Sequence, residues 1–523
     1  MLLGVFNTTS PNFPPGSGRP QPPDGHRLFL RGAIATVLTL GAAWGALLLL
    51  RIAASGSFVS IRLQEVNAHG HAQIFGWVGL FAMGYAYYGL AALKRTRLAA
   101  PRLAVASFWL MAGGLAARSL FQPLVDFSPW CLLPALAGSL AEIAAVALCC
   151  GIVAATLRRS PRGLEAADGF VLAALAWFLI QAVYGTVYFA ATALASDRGT
   201  LLRLVADWQA PLREMQIHGL AMLMILGISQ QLLPRWYGMR QTRPNQSQRA
   251  LVLINLALAG VIAGSILIRQ AGHAWAGAWY LAAVVMAAVV IALVLSWGIW
   301  RPAPRQDRGL TYVRAAYLWL LVSLAMLAAL PVYQFALLPW LAAESAAARI
   351  GFSHAYYGAI RHAITVGFVS QMIVAVSARL TAELRGARID RQRVPWSPLV
   401  LINAGCAVRV AGQAATDFTP LAFPIIGPSG LVELAGLAVW GVHLWRLTGR
   451  PAGRLPARAA CGGRAAPVRQ ARSRRGGEAE QRSALGAIDG LQPANRGNLR
   501  RVTDYPSPVT CGIFPLHRQR RIK

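Results

Sequence analysis

The chain is poor in charge and poorer still in acid. Only 13% of its 523 residues are charged, and 19 Asp and Glu stand against 50 Lys and Arg. Soluble domains carry about 25% charged residues. With 56% of this chain hydrophobic, an ordinary soluble fold is excluded. Cysteine is scarce too: Cys131, Cys149, Cys150, Cys406, Cys461 and Cys511 form no Cys-x-x-Cys or Cys-x-x-Cys-His pattern. That argues against covalently attached c-type haem and against a cysteine-ligated cluster. Cys149 and Cys150 lie in an apolar run and read as packing. A small-residue cleavage site is also missing after the first apolar run, near Gly32, so no cleavable signal peptide is expected.

Long apolar runs are what the chain has instead. About 20 such residues cross a bilayer as a helix. Twelve candidate spans read at 32–51, 70–93, 103–124, 130–156, 169–194, 211–234, 250–270, 275–299, 312–336, 356–380, 397–417 and 423–446. Unbroken runs of this length exclude a barrel of alternating strands, and a backbone in hydrocarbon satisfies its own hydrogen bonds as helix. The fold class is therefore all-α, a polytopic membrane helix bundle. The eleventh span is the weakest, because it contains Asn403, Arg409 and Gln413 and is followed by Pro420 and Pro424. Eleven spans plus a re-entrant piece is the alternative.

Basic residues mark every second loop. Lys94, Arg95, Arg97 and Arg102 occupy one; Arg158, Arg159 and Arg162, then Arg235, Arg240, Arg243 and Arg249, then Arg301, Arg305 and Arg308, then Arg385, Arg388, Arg391 and Arg393 occupy the others. By the positive-inside rule these loops and both termini are cytoplasmic, as in a bacterial inner-membrane protein. The long loop 195–213 mixes acids and bases. Residues 1–30 read as a cytoplasmic N-terminal segment, 31–448 as the transmembrane domain, and 449–523 as a basic tail too poor in apolar runs to fold, suited to resting on anionic lipid. The net charge of +31 sits in these loops and the tail, so membrane lipid rather than nucleic acid is the expected partner.

Histidines are few, nine in all, yet four of them open apolar spans on one side of the membrane. Span 2 begins at His69-Gly70-His71, span 6 carries His218 and span 10 carries His362. His71, His218 and His362 recur every four spans, which suggests three units of four helices related by an axis along the membrane normal. Ionisable groups inside a membrane are expensive and usually functional. Imidazoles from facing helices suit haem iron or copper, so His71, His218 and His362 are the expected metal ligands. His69 and His354 join them as cofactor-binding candidates. His69 and His71 point about 200° apart on a helix, so they serve different sites. His354 and His362 lie about 12 Å apart along one, which fits two sites or a ligand and an outer partner. Arg361, beside His362, either pairs with a haem propionate or snorkels to the interface. Arg118 and Glu142, deep in spans 3 and 4, are expected to pair with each other. Tyr356 and Tyr357 read as aromatic-belt residues. Gly76, Gly79 and Gly84 read as close-packing positions.

The stretch His69-Gly-His-Ala-Gln-Ile-Phe-Gly-Trp-Val-Gly, the run from His218 to Leu233-Pro234-Arg235, and Arg361-His362-Ala-Ile-Thr-Val-Gly-Phe368 resemble the NnrS family, over roughly residues 30–448. More distantly they resemble subunit I of haem-copper oxidases and nitric oxide reductases. The resemblance implies b-type haem, copper, and a role in the response to nitric oxide and nitrosative stress. It implies a haem role for His69 or His71, a copper role for His218, and a haem-iron role for His362 or His354. A small gas such as nitric oxide and a respiratory-chain component are the implied partners. Span 7 holds no histidine and span 10 lacks the closely spaced pair, so the copper centre of a proton-pumping oxidase is not encoded. A membrane transporter, or an assembly factor handing metal or haem to an oxidase, is the alternative reading.

Overall fold

The computed structural model describes residues 25–384 and 394–449. The basic tail, most of the N-terminal segment and part of the loop 381–396 lie outside the described residues. Twelve helices are long and apolar enough to cross a membrane: α1 (Gly25–Ser55), α2 (Leu63–Leu93), α3 (Pro101–Leu124), α4 (Pro129–Arg158), α5 (Ala166–Ala193), α6 (Arg198–Tyr237), α7 (Pro244–Ala271), α8 (His273–Ser296), α9 (Arg308–Ala328), α10 (His354–Leu384), α11 (Ser397–Ala415) and α12 (Ala422–Gly449). The eleventh span is thus a full helix. Its Asn403 accepts a hydrogen bond from Trp319 at 2.8 Å and exchanges two with Gln371, so this polar residue is satisfied inside the bundle.

The long loop expected at 195–213 is instead helical. Asp197 caps it by accepting from the Thr200 amide at 2.9 Å, which satisfies one of the unpaired donors at a helix start. The stretch Arg198–Glu214 is the first part of α6. Its polar residues disguise it as a loop because it lies beyond the apolar run.

Three helices form the centre. The apolar windows of α2, α6 and α10 are 100%, 83% and 83% buried, against 33–50% for the other nine. The most extensive contacts elsewhere are the hairpins α3–α4, α7–α8 and α11–α12, and α12 packs back on α1 to close the ring. Each unit therefore supplies one central helix and one hairpin.

The central helices share an unusual backbone. Ala72–Gly79, Met215–Met222 and Ala363–Ser370 are π-helical, each eight residues long. Such i→i+5 segments are rare and concentrate at functional sites. Gly76, Gly219 and Gly367 sit at the same place in each segment. A Cβ on them would meet Thr36 Cγ2 at 2.2 Å, Trp177 Cγ at 2.8 Å and Trp319 Cγ at 2.4 Å. The residues immediately before the segments are His71, Glu214 and His362. This corrects the register of the repeat. His218 is not the counterpart of His71 and His362; Glu214 is, and His218 lies one turn further along.

Candidate metal centre

In the first unit, His71 Nε2 lies 2.8 Å from both carboxylate oxygens of Glu142, with its ring stacked on Phe75 at 4.0 Å. All of this is buried. Arg118 Nη1 stands 3.9 Å from the same carboxylate. The expected Arg118–Glu142 pairing is present, but His71 is the nearer partner. The guanidinium makes three further contacts, one from each nitrogen. Nε donates to Gln122 at 3.2 Å, Nη1 to Ser139 at 3.1 Å and Nη2 to the Gly185 carbonyl at 3.4 Å. Glycines bring the hairpin this close: a Cβ on Gly114 would lie 2.5 Å from the Gly138 carbonyl oxygen.

The third unit repeats the arrangement at a constant offset of 291 residues: 71 to 362, 114 to 405, 118 to 409, 122 to 413 and 142 to 433. His362 Nε2 lies 2.8 Å from Glu433 Oε1. One substitution changes the chemistry. Cys406 stands where the first unit has Leu115. The ligating atoms of His362, Cys406 and Glu433 all lie within 4.8 Å of one another. Arg409 keeps its place, but its Nε and Nη1 are buried with no hydrogen-bond partner.

The second unit departs further. Gly219 to Gly367 and Asn255 to Asn403 both give an offset of 148, which puts Val261 and Val285 where the third unit has Arg409 and Glu433. Its acid comes from the central helix itself: Glu214 Oε2 lies 2.6 Å from His218 Nδ1, one helical turn away. Glu214 Oε1 accepts from the Tyr357 hydroxyl at 2.8 Å, and Arg361 lies 4.4 Å over the Tyr357 ring. Tyr357 is therefore part of the site rather than an interfacial belt residue. Arg213 donates to Gln216 at 2.8 Å and Asn67 at 3.1 Å, its guanidinium lying over Gly70.

His69 faces away from His71, as the helical angle requires. Its Nδ1 lies 3.0 Å from the Gly41 carbonyl, at the end of a π-helical turn in α1, and its ring rests on Gly45. His354 is exposed and meets the Phe352 ring edge-on; it joins none of these groups. His71, His218 and His362 each open or sit near the start of a π-helical segment, and each has its own carboxylate. Sequence reasoning missed Cys406, Glu433 and the pairing role of Glu214. The 71-residue spacing from His71 to Glu142, repeated from His362 to Glu433, was the signal that could have found Glu433.

A thiol, an imidazole and a carboxylate on three different helices are a donor set for a transition-metal ion. Glu433 is doubly suited, as a ligand or as the acceptor that fixes the imidazole tautomer. An apolar cavity lies between the central helices two turns further on, lined among others by Val78, Phe81, Ala221, Met224, Val369 and Met372.

Twelve apolar helices around a buried histidine–carboxylate layer define an integral, multi-pass membrane protein that binds a metal or metal-containing cofactor. Residues 23–451 match the family model described as NnrS protein. The chain belongs to the NnrS family, membrane proteins of the response to nitric oxide and nitrosative stress. None of the curated proteins compared with it matches.

Proposed function

We propose that the chain is a haem- and copper-binding protein of the bacterial inner membrane, with both termini cytoplasmic, whose metal layer meets nitric oxide. The observation that carries this reading is the His362–Cys406–Glu433 cluster. Thiolate and imidazole together favour copper or zinc over hard cations, and copper is the assignment here. For haem, the test is which imidazoles keep a nitrogen for iron. Glu214 holds His218 through Nδ1, and the Gly41 carbonyl holds His69 through Nδ1. In both, Nε2 is left as the ligating atom, the arrangement that orients metal-bound histidines generally. His218 is the proposed iron ligand and His69 the second candidate. His71 has Nε2 committed to Glu142, as His362 has to Glu433, and neither is proposed for iron. Arg213 and Arg361 bracket Glu214 and His218, placed for carboxylate recognition.

Haem iron and copper supply affinity for diatomic gases and one-electron chemistry. The protein's part is to hold and exclude. Glu214 and Glu433 accept the imidazole N–H and fix the tautomer. Tyr357 donates to Glu214 and limits how strongly that carboxylate draws on His218. Burial of His71 and His218 keeps bulk water from the layer.

The test is the absorption spectrum of purified protein, oxidised and reduced, with and without nitric oxide, together with iron and copper analysis on the same sample. A Soret band that moves on adding nitric oxide, at near-stoichiometric iron with copper present, is expected. Folded, pure protein with neither metal would overturn the proposal.

A further inference from the structure

We infer that Arg409 holds an anionic oxygen group, either a carboxylate of the cofactor or a free inorganic oxyanion such as nitrite, at a place where the first unit holds none. The inference does not depend on which metal occupies the neighbouring cluster.

The molecule contains its own control. Arg118 and Arg409 are counterparts at the same position of equivalent hairpins, 291 residues apart. Arg118 has Gln122, Ser139 and the Gly185 carbonyl as acceptors, with Glu142 close by. Arg409 makes no hydrogen bond or ion pair among the described residues, and two of its nitrogens are buried. Two substitutions account for the loss of two of these acceptors. The counterpart of Ser139 is Gly430, which has no hydroxyl to offer. The counterpart of Asn67 is Gly358, and Gln413 turns its amide into the space this opens: Nε2 would lie 2.2 Å from a Cβ on Gly358. Gln413 therefore leaves Arg409, whereas its counterpart Gln122 stays on Arg118. Glu433 on α12 attracts the Arg409 charge but makes no ion pair with it, and its Oε1 lies 2.8 Å from His362.

An arginine cannot shed its charge, and a charge inside a membrane bundle is costly unless matched. The third unit has retained the guanidinium and removed two of its protein partners. A planar guanidinium with free N–H groups recognises carboxylates and oxyanions above other ligands. Arg409 lies three residues from Cys406 on α11, so an anion bound there sits beside the His362–Cys406–Glu433 cluster.

Calorimetric titration of the full-length protein in detergent with sodium nitrite, at constant ionic strength in chloride, tests this. Arg409→Gln removes the site. Gly430→Ser returns the hydroxyl that accepts from the first unit's arginine. Saturable nitrite binding that weakens about tenfold or more in both variants, the loss expected for a charge-assisted hydrogen bond, supports a free oxyanion. If the wild type takes no nitrite but both variants lose haem several-fold faster to an apomyoglobin scavenger, the anion is the cofactor's own carboxylate. Arg409→Lys, which keeps the charge and loses the fork, serves if the glutamine variant does not fold. Variants that elute and melt like the wild type, with nitrite binding and haem retention both unchanged, overturn the inference and leave water as the partner of Arg409.

Discussion

Glu433 stands 2.8 Å from His362 across 71 residues of chain, and Glu142 stands 2.8 Å from His71 across the same 71 residues. The two pairs are one device used twice, and what surrounds them differs. In the first unit Arg118 has three hydrogen-bond acceptors, and buried Leu115 holds the place that Cys406 takes in the third. Around His362 a thiol replaces the leucine and the arginine has lost its partners. The first unit keeps the frame, while the third has been opened for ligands.

Replacing Cys406 by Ser is therefore expected to lower the copper content of purified protein several-fold without a change in yield or elution. The hydroxyl is nearly isosteric but a poor ligand for a soft metal. Cys149→Ser is the control, because Cys149 is buried with no histidine–carboxylate pair beside it in the structure. Elemental analysis of both variants decides the matter; equal copper in the Cys406 variant would remove this residue from the metal site.

Glu142→Gln should behave in the opposite way. Removing one partner of a buried charged network costs about 3–5 kcal/mol, since Arg118 would lose the one carboxylate within 4 Å of it among the described residues. A marked fall in melting temperature in detergent is expected, with copper per folded molecule unchanged. Loss of copper at unaltered stability would show that the first unit, too, holds metal.

The sequence made the twelve helices legible because each is an apolar run of bilayer length, and it made the histidines legible because an imidazole in such a run is conspicuous. Glu433, Arg409 and Cys406 were harder. Cys406 and Arg409 lie on α11 and Glu433 on α12, and their proximity depends on how closely the two helices approach at Gly405, where a Cβ would meet Glu433 Cγ at 2.6 Å. The register of the second unit was masked by its histidine. His218 is 147 residues from His71, near enough to the true offset of 143 that the histidine itself looked like the repeat. The π-helical segments show that Glu214 holds that place, and the offset of 148 from Gly219 to Gly367 and from Asn255 to Asn403 agrees with it.

Close approach of hairpin helices gives a prediction on stability. Gly114→Ala would drive a methyl to 2.5 Å from the Gly138 carbonyl oxygen, and Gly405→Ala one to 2.6 Å from Glu433 Cγ and 2.9 Å from the Ser429 carbonyl oxygen. Neither backbone oxygen can move away without parting the helices, so overpacking of about 1–3 kcal/mol is expected at each. Gly151→Ala faces open space in α4 and should be neutral or slightly stabilising, since alanine is the better helix former. Thermal melts of the three variants separate these outcomes. Equal melting temperatures would mean that the hairpins are looser than this packing requires.

Tyr357 and Glu214 offer a test that a merely structural role would not pass. Glu214 accepts from His218 Nδ1 on one oxygen and from the Tyr357 hydroxyl on the other. With His218 as iron ligand, the two contacts pull in opposite directions. Glu214→Gln weakens the acceptor, makes the imidazole a poorer electron donor and should raise the haem reduction potential. Tyr357→Phe frees the carboxylate to draw harder on the Nδ1 hydrogen, makes the imidazole more electron-rich and should lower the potential. About 59 mV corresponds to each tenfold change in the relative stability of the two oxidation states, so opposite displacements from the wild type are readable by redox titration of the Soret band. Shifts of the same sign in both variants would take His218 off the iron, and no shift in either would separate the Glu214 pair from the cofactor altogether.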